Sequence, residues 1–198
     1  MYKFFKQKNK NRGGEATKGF TLVETLVAIS IFTISILGLL VALSQGISDT
    51  GYAKKKILAG YLAQEAVEFT RNKRDTYVIY HATSATAGWN EFKTNLASCE
   101  LAPGCYYNAD NLNFTDNSQP VLDIAFQACP SGGCPELRYD STSGQYGYTG
   151  QLSGFVRKIR YVAGANPNEV KIFSTVSWKQ GSGNYDIELS ELLFNWVE

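Results

Sequence analysis

From Phe20 to Leu43 the chain reads FTLVETLVAISIFTISILGLLVAL, 24 residues with a single charge, Glu24. Nothing else in the sequence restricts the fold as much. At about 1.5 Å per residue this run makes roughly 36 Å of helix, enough to cross a hydrocarbon layer of about 30 Å. A cleaved secretory signal has an apolar stretch of only about 7–15 residues, with small residues at the cut. Ser44-Gln45-Gly46-Ile47-Ser48 does not supply that pattern. Upstream lie Lys3, Lys6, Lys8, Lys10, Arg12 and Lys18 against Glu15, a balance of +5 over residues 1–19. The remainder has 13 basic and 17 acidic residues, or −4, so the formal +1 hides a basic tail on a mildly acidic body. Basic flanks stay on the cytoplasmic side, which puts everything after Leu43 outside.

Glu24 is the anomaly in this segment. An ionisable group within a membrane helix costs about 2.5–3.5 kcal/mol at the centre and less near an end, and marks a functional position. A plain anchor explains length and orientation but not this residue. A cut between Gly19 and Phe20 would make Glu24 the fifth residue of the shortened chain, one helical turn from a new α-amino group. The terminal amine of a neighbouring copy could then pair with the carboxylate.

Lys18-Gly19-Phe20-Thr21-Leu22-Val23-Glu24, followed at once by the apolar run, resembles the processing site of the type IV pilin superfamily, which spans major and minor pilins, type II secretion pseudopilins and competence pseudopilins. The resemblance implies cleavage by a prepilin peptidase between Gly19 and Phe20, N-methylation of Phe20, and a role for Glu24 in matching charges during filament assembly. It also implies other pilin or pseudopilin subunits and an inner-membrane assembly machine as partners. Localisation would be single-pass in the inner membrane with the head outside the cytoplasm, then a surface or periplasmic filament.

The helical pattern continues past Leu43. Ile47 to Arg74 has no proline, and Ile57, Leu58, Tyr61, Leu62, Ala66 and Phe69 recur at three- and four-residue spacing. Gly46, Gly51 and Gly60 weaken it by up to about 1 kcal/mol each. A helix over 20–74 would span roughly 82 Å, its first half in the membrane or filament core and its second laid on a head domain. Leu62-Ala63-Gln64-Glu65-Ala66-Val67-Glu68 through Arg71-Asn72 is similar to a segment found in minor pilins. Lys54-Lys55-Lys56 reads as a solvated helix face just outside the bilayer, or as a contact for anionic lipid or DNA.

From Asp75 aromatics, Thr, Ser, Gly and Asn take over. Three strands are expected at 154–162, 170–178 and 185–192, with a weaker one at 145–148. Asn166-Pro167-Asn168 and Gln180-Gly181-Ser182-Gly183-Asn184 form hairpin turns between them. The expected architecture is α+β: a leader over 1–19, a helix over 20–74 whose 20–43 portion is membrane or filament core, and a β-rich head over 75–198, with the helix packed on an antiparallel sheet.

Cys99, Cys105, Cys129 and Cys134 fall on the outer side, and their even number suggests two disulfides. Of three connectivities, the turns at Pro103-Gly104 and Ser131-Gly132-Gly133 favour Cys99–Cys105 with Cys129–Cys134; four thiolates on zinc is the rival. Asn108 to Gln119 is rich in Asn and Asp but fails the calcium-loop pattern, with Thr115 and Val121 where Gly and Glu belong. Asn113-Phe114-Thr115 is a nominal glycosylation acceptor. No metal and no cofactor is expected.

A single His, His81, has no nucleophile or paired-carboxylate motif beside it, which argues against an enzyme. The principal reading is a structural subunit, a minor pilin or pseudopilin. Val41 stands where many major pilins have a helix-bending proline, residues 171–198 lack the cysteine of a closed C-terminal loop, and the leader is longer than usual before a Phe start. The alternative is a filament-tip adhesin or DNA-uptake subunit, drawing on 12 Tyr and on Arg157-Lys158-Arg160, although strand alternation splits that basic trio between two faces.

Overall fold

In a computed structural model the described residues are 19–81, 84–108, 110 and 124–196. The leader up to Lys18, the Asn113-Phe114-Thr115 tripeptide and the calcium-loop positions Thr115 and Val121 lie outside them. The chain divides into two compact units, Met1–Ser48 and Asp49–Glu198. Helix α1, Leu22–Thr76, contributes to both.

In the first unit every described residue is exposed. Its hydroxyls bond back to the helix's own carbonyls: Thr25 Oγ1 to Leu22 O, Ser30 Oγ to Leu26 O, Thr33 Oγ1 to Ser30 O and Ser35 Oγ to Ile31 O, all at 2.8–2.9 Å. Polar atoms of the rod are thereby satisfied within it, as an apolar surrounding requires. Among the described residues this is the one helix long and apolar enough to cross a membrane.

The second unit is α+β. After α1 come a π-turn, Tyr77–His81, helix α2, Ala85–Asn95, and a 3-10 turn, Ala97–Cys99. Seven strands follow: β1 Cys105–Tyr106, β2 Gln127–Ala128, β3 Glu136–Asp140, β4 Gln145–Gly147, β5 Gln151–Ala163, β6 Glu169–Gln180 and β7 Gly183–Phe194. All pairings are antiparallel. The long meander β5-β6-β7 is the body of the sheet. On the other edge of β5, β3 pairs along Gln151–Val156 and β1 at Ile159, so two short strands share one long edge.

The meander alternates as a half-buried sheet must. Phe155, Arg157, Ile159 and Tyr161 of β5 and Val170, Ile172, Ser174, Val176 and Trp178 of β6 face inward. Onto this face α1 lays Ala59, Leu62, Ala63, Ala66, Val67, Thr70 and Lys73, all buried. That corrects the stripe expected from spacing: Ile57 and Tyr61 are 61% and 67% exposed. The reason is size. Alanines at 59, 63 and 66 leave room for the sheet's own Phe155, Ile159, Ile172 and Trp178, which share the same apolar clusters, and larger residues there would overpack them.

Helix α2 was not expected from the sequence. Ser84 caps it by accepting a hydrogen bond from Ala87 N at 3.3 Å, and Trp89, Phe92 and Leu96 bury its inner face. Ala85-Thr86-Ala87-Gly88 has weak helical preference, so tertiary burial of those three residues decides the conformation. Strands β1, β2 and β3 were likewise unforeseen, being too short to show a period.

The disulfides are Cys99–Cys105 and Cys129–Cys134. The first ties the 3-10 turn to β1. Gly104, at φ +115°, makes that closure possible, since a Cβ there would stand 2.6 Å from Ile159 O.

Two apolar clusters form the core, one around Leu62, Phe155, Val176 and Trp178, the other around Ala66, Phe92, Tyr107, Ile159 and Ile172. Arg157 lies between Phe155 and Ile159 in β5 and is 2% exposed. Its Nη1 stands 3.2 Å from Glu65 Oε1 on α1, and its guanidinium lies 4.5 Å from the Tyr107 ring centre. Tyr107 stacks on Phe69 of α1 at 3.8 Å. Burial opposes the charge on Arg157, but Tyr107 and Glu65 outweigh it and hold the guanidinium above its ordinary range. Glu65→Ala strands this buried cation. The expected loss is about 2–3 kcal/mol, less than the ~3–5 of a fully buried pair because water reaches Glu65, measured by denaturant unfolding of the full chain.

Tyr148 OH is buried without a hydrogen-bond partner, and burial pushes its pKa up from 10.0 to about 12. A phenol raised in the folded state contributes stability that is complete below its unfolded pKa of 10.0 and is lost as pH rises through about 12. Melting temperature should therefore fall between those pH values. Tyr148→Phe should change stability at neutral pH by less than about 0.5 kcal/mol and flatten that alkaline decline.

Candidate processing and assembly site

Gly19 and Phe20 precede the first turn of α1, outside regular secondary structure and exposed, Phe20 at 77%. A bond that a peptidase is to cut must be reachable, and this segment is exposed. Among the described residues no atom lies within 4 Å of where a Cβ on Gly19 would stand.

Thr21 is the helix cap. Its Oγ1 accepts a hydrogen bond from Glu24 N at 3.2 Å, and Thr25 N donates to Thr21 O at 3.2 Å. Thr21-Leu22-Val23-Glu24 is thus a Thr-x-x-Glu capping sequence, with the carboxylate in the first turn where the positive end of the helix dipole favours it. This local setting of Glu24, in the first turn behind the Thr21 cap, was missed at the sequence level, although the spacing was there to be read. It shows how an acidic side chain is tolerated at the mouth of an apolar rod. From Thr25 to Leu43 no other charge occurs.

The remaining candidate residues belong to the second unit. The disulfide cysteines support its short strands. His81 ends the π-turn. The basic trio divides: Arg157 is buried in the pair with Glu65, while Lys158 and Arg160 lie on the opposite face of β5. Register then adds a residue the sequence did not nominate. Lys158 pairs with Thr175, Arg160 with Phe173 and Val162 with Lys171, so Lys171 joins Lys158 and Arg160 on one outer face. There Lys171 Nζ and the Arg160 guanidinium stand 4.9 and 5.7 Å from the Phe173 ring centre. Among the described residues no group of three His, Cys, Asp or Glu side chains is arranged to hold a metal.

Residues 16–40 match the family model described as the prokaryotic N-terminal methylation motif. No curated protein and no solved structure matches the chain. The matched stretch contains Gly19, Phe20, the Thr21 cap, Glu24 and most of the apolar run. A prepilin-type methylation motif that opens a membrane-capable helix, followed by an antiparallel sheet on which that helix continues, supports membership of the type IV pilin superfamily.

Proposed function

We propose that this chain is a minor pilin or pseudopilin: a non-enzymatic subunit held in the inner membrane by residues 20–43 with its head outside the cytoplasm, cut between Gly19 and Phe20, methylated on Phe20, and drawn into a filament by its apolar helix. The observation that carries this reading is the junction itself, where an exposed Gly19-Phe20 bond meets a capped apolar helix inside a methylation motif. Its partners are a prepilin peptidase, other pilin-type subunits and the membrane-bound assembly machinery. Ile57 and Tyr61, left exposed on the face of α1 away from the sheet, add apolar surface for a neighbouring subunit.

A second reading, a tip subunit that binds DNA or a surface ligand, draws on the outer-face cluster of Lys158, Arg160 and Lys171 around Phe173. The acidic balance of residues 20–198 weighs against it.

The test of the principal reading is the mature N-terminus. Protein recovered from membranes or sheared filaments should begin at methylated Phe20, and Gly19→Leu should retain residues 1–19, visible as the larger mass. A wild-type chain found only with its first methionine in place defeats the proposal.

The charge of Glu24 is tested by substitution. Gln removes the charge but keeps the size, Ala removes both, and the Thr21 cap, which accepts from the backbone N of residue 24, is retained in either. If charge matching governs assembly, Glu24→Gln and Glu24→Ala should both insert normally and both enter filaments poorly. Normal filament incorporation of Glu24→Gln would overturn charge matching.

A further inference from the structure

The lysine run Lys54-Lys55-Lys56 is not used by the processing site, and its surroundings in the second unit give it a chemistry. Lys55 donates from Nζ to Lys179 O at 2.9 Å, which brings the end of β6, and exposed Lys179 with it, beside the run. Lys54 and Lys56 are exposed. Between helix and hairpin stands an aromatic group: Tyr52 and Tyr185 at 5.0 Å, Trp178 and Tyr185 at 5.8 Å, Tyr52 and Trp178 at 6.2 Å between ring centres. Lys56 Nζ lies 5.9 Å from the Tyr52 ring centre, and Tyr185 remains 38% exposed. Four lysines outnumber Asp49 and Asp186, the acidic residues nearest to them in chain and strand register.

Exposed Lys side chains around half-exposed Tyr form the composition that settles at a lipid–water boundary. The amphipathic rings sit at headgroup level and the ammonium groups meet lipid phosphates. In chain order this is also the part of the head that follows the apolar run first, Lys54 coming eleven residues after Leu43. We propose that Lys54, Lys56 and Lys179, with Tyr52 and Tyr185, form a foot that rests on an anionic bilayer surface while the subunit waits in the membrane. The inference rests on the reading of residues 20–43 as a membrane anchor. It assigns the foot a reversible hold on the head, released when the subunit leaves the bilayer.

The experiment uses the full chain in vesicles of neutral phosphatidylcholine and in vesicles rich in phosphatidylglycerol, with the head outward. Lysine acetylation rates are read site by site by mass spectrometry. Attraction of one lysine to such a surface amounts to about fivefold in occupancy, so acetylation of Lys54, Lys56 and Lys179 should slow about fivefold in the anionic vesicles. Lys158 and Lys171 on the outer sheet face should be unchanged, and added salt should abolish the difference. Equal rates in both vesicles, with the chain still floating with the lipid, overturn the foot and leave the anchor intact. A chain that floats with neither vesicle overturns the anchor and the foot together. Protection of the same three lysines by a DNA oligonucleotide in neutral vesicles, without protection by phosphatidylglycerol, overturns the lipid assignment in favour of nucleic acid.

Discussion

The packing of α1 on the inner face of the sheet governs the second unit. From the helix come the buried Ala59, Ala63 and Ala66, and from the sheet the large inward side chains Phe155, Ile159, Ile172, Val176 and Trp178. Small side chains on one layer leave room for large ones on the other. One consequence is that the helix must turn its bulkier Ile57 and Tyr61 away from the head, where they remain exposed apolar surface. Another is that Arg157, caught on the inward face of β5, is desolvated and needs a partner, which Glu65 supplies from the helix itself. Tyr107 covers the guanidinium and carries the contact back to Phe69. The part of α1 in the second unit is fastened further at Lys55, which donates to Lys179 O, and at Arg71, whose guanidinium bridges Glu68 and Glu191 at 2.7 and 2.6 Å.

In the first unit the governing constraint is polar satisfaction. An apolar rod tolerates Ser30, Thr33 and Ser35 because each hydroxyl donates to a carbonyl one turn back. Glu24 cannot be neutralised in that way. Its backbone N–H is taken by Thr21, and its carboxylate benefits from the helix terminus, which explains its position at the first turn instead of the middle. The carboxylate thus sits at the favourable end of its own helix, on an exposed turn.

The legibility of the sequence followed the length of its patterns. The apolar run, the Gly19-Phe20 junction with Glu24, and the three strands of the meander each extend over enough residues, or use residues distinctive enough, to be read without coordinates. The weaker strand expected at 145–148 also corresponds to β4. Helix α2 and strands β1 to β3 were not legible, because each is stabilised by contacts far away in sequence: Trp89 donates to Pro167 O, Cys105 pairs opposite Ile159, and Glu136 opposite Val156. On α1 the expected Leu58, Leu62, Ala66 and Phe69 do face the core, Ile57 and Tyr61 do not, and Ala59, Ala63, Thr70 and Lys73 were missed, since alanine and threonine carry little hydrophobic signal and a buried lysine carries the opposite one. Lys73, fully buried, donates to Ile124 O between the rings of Tyr77 and Phe126, an environment no periodicity announces.

What the sequence determined by itself is local: a helix of membrane length, the methylation motif that opens it and its solitary carboxylate, because hydropathy and short motifs act over a few consecutive residues. Only the tertiary structure decided which face of α1 is covered, that Arg157 is buried while Lys158, Arg160 and Lys171 share a surface, and that Lys179 stands beside Lys55. Those outcomes depend on strand register and on how closely a helix can lie on a sheet, and both are settled by side chains from distant parts of the chain meeting in one interface.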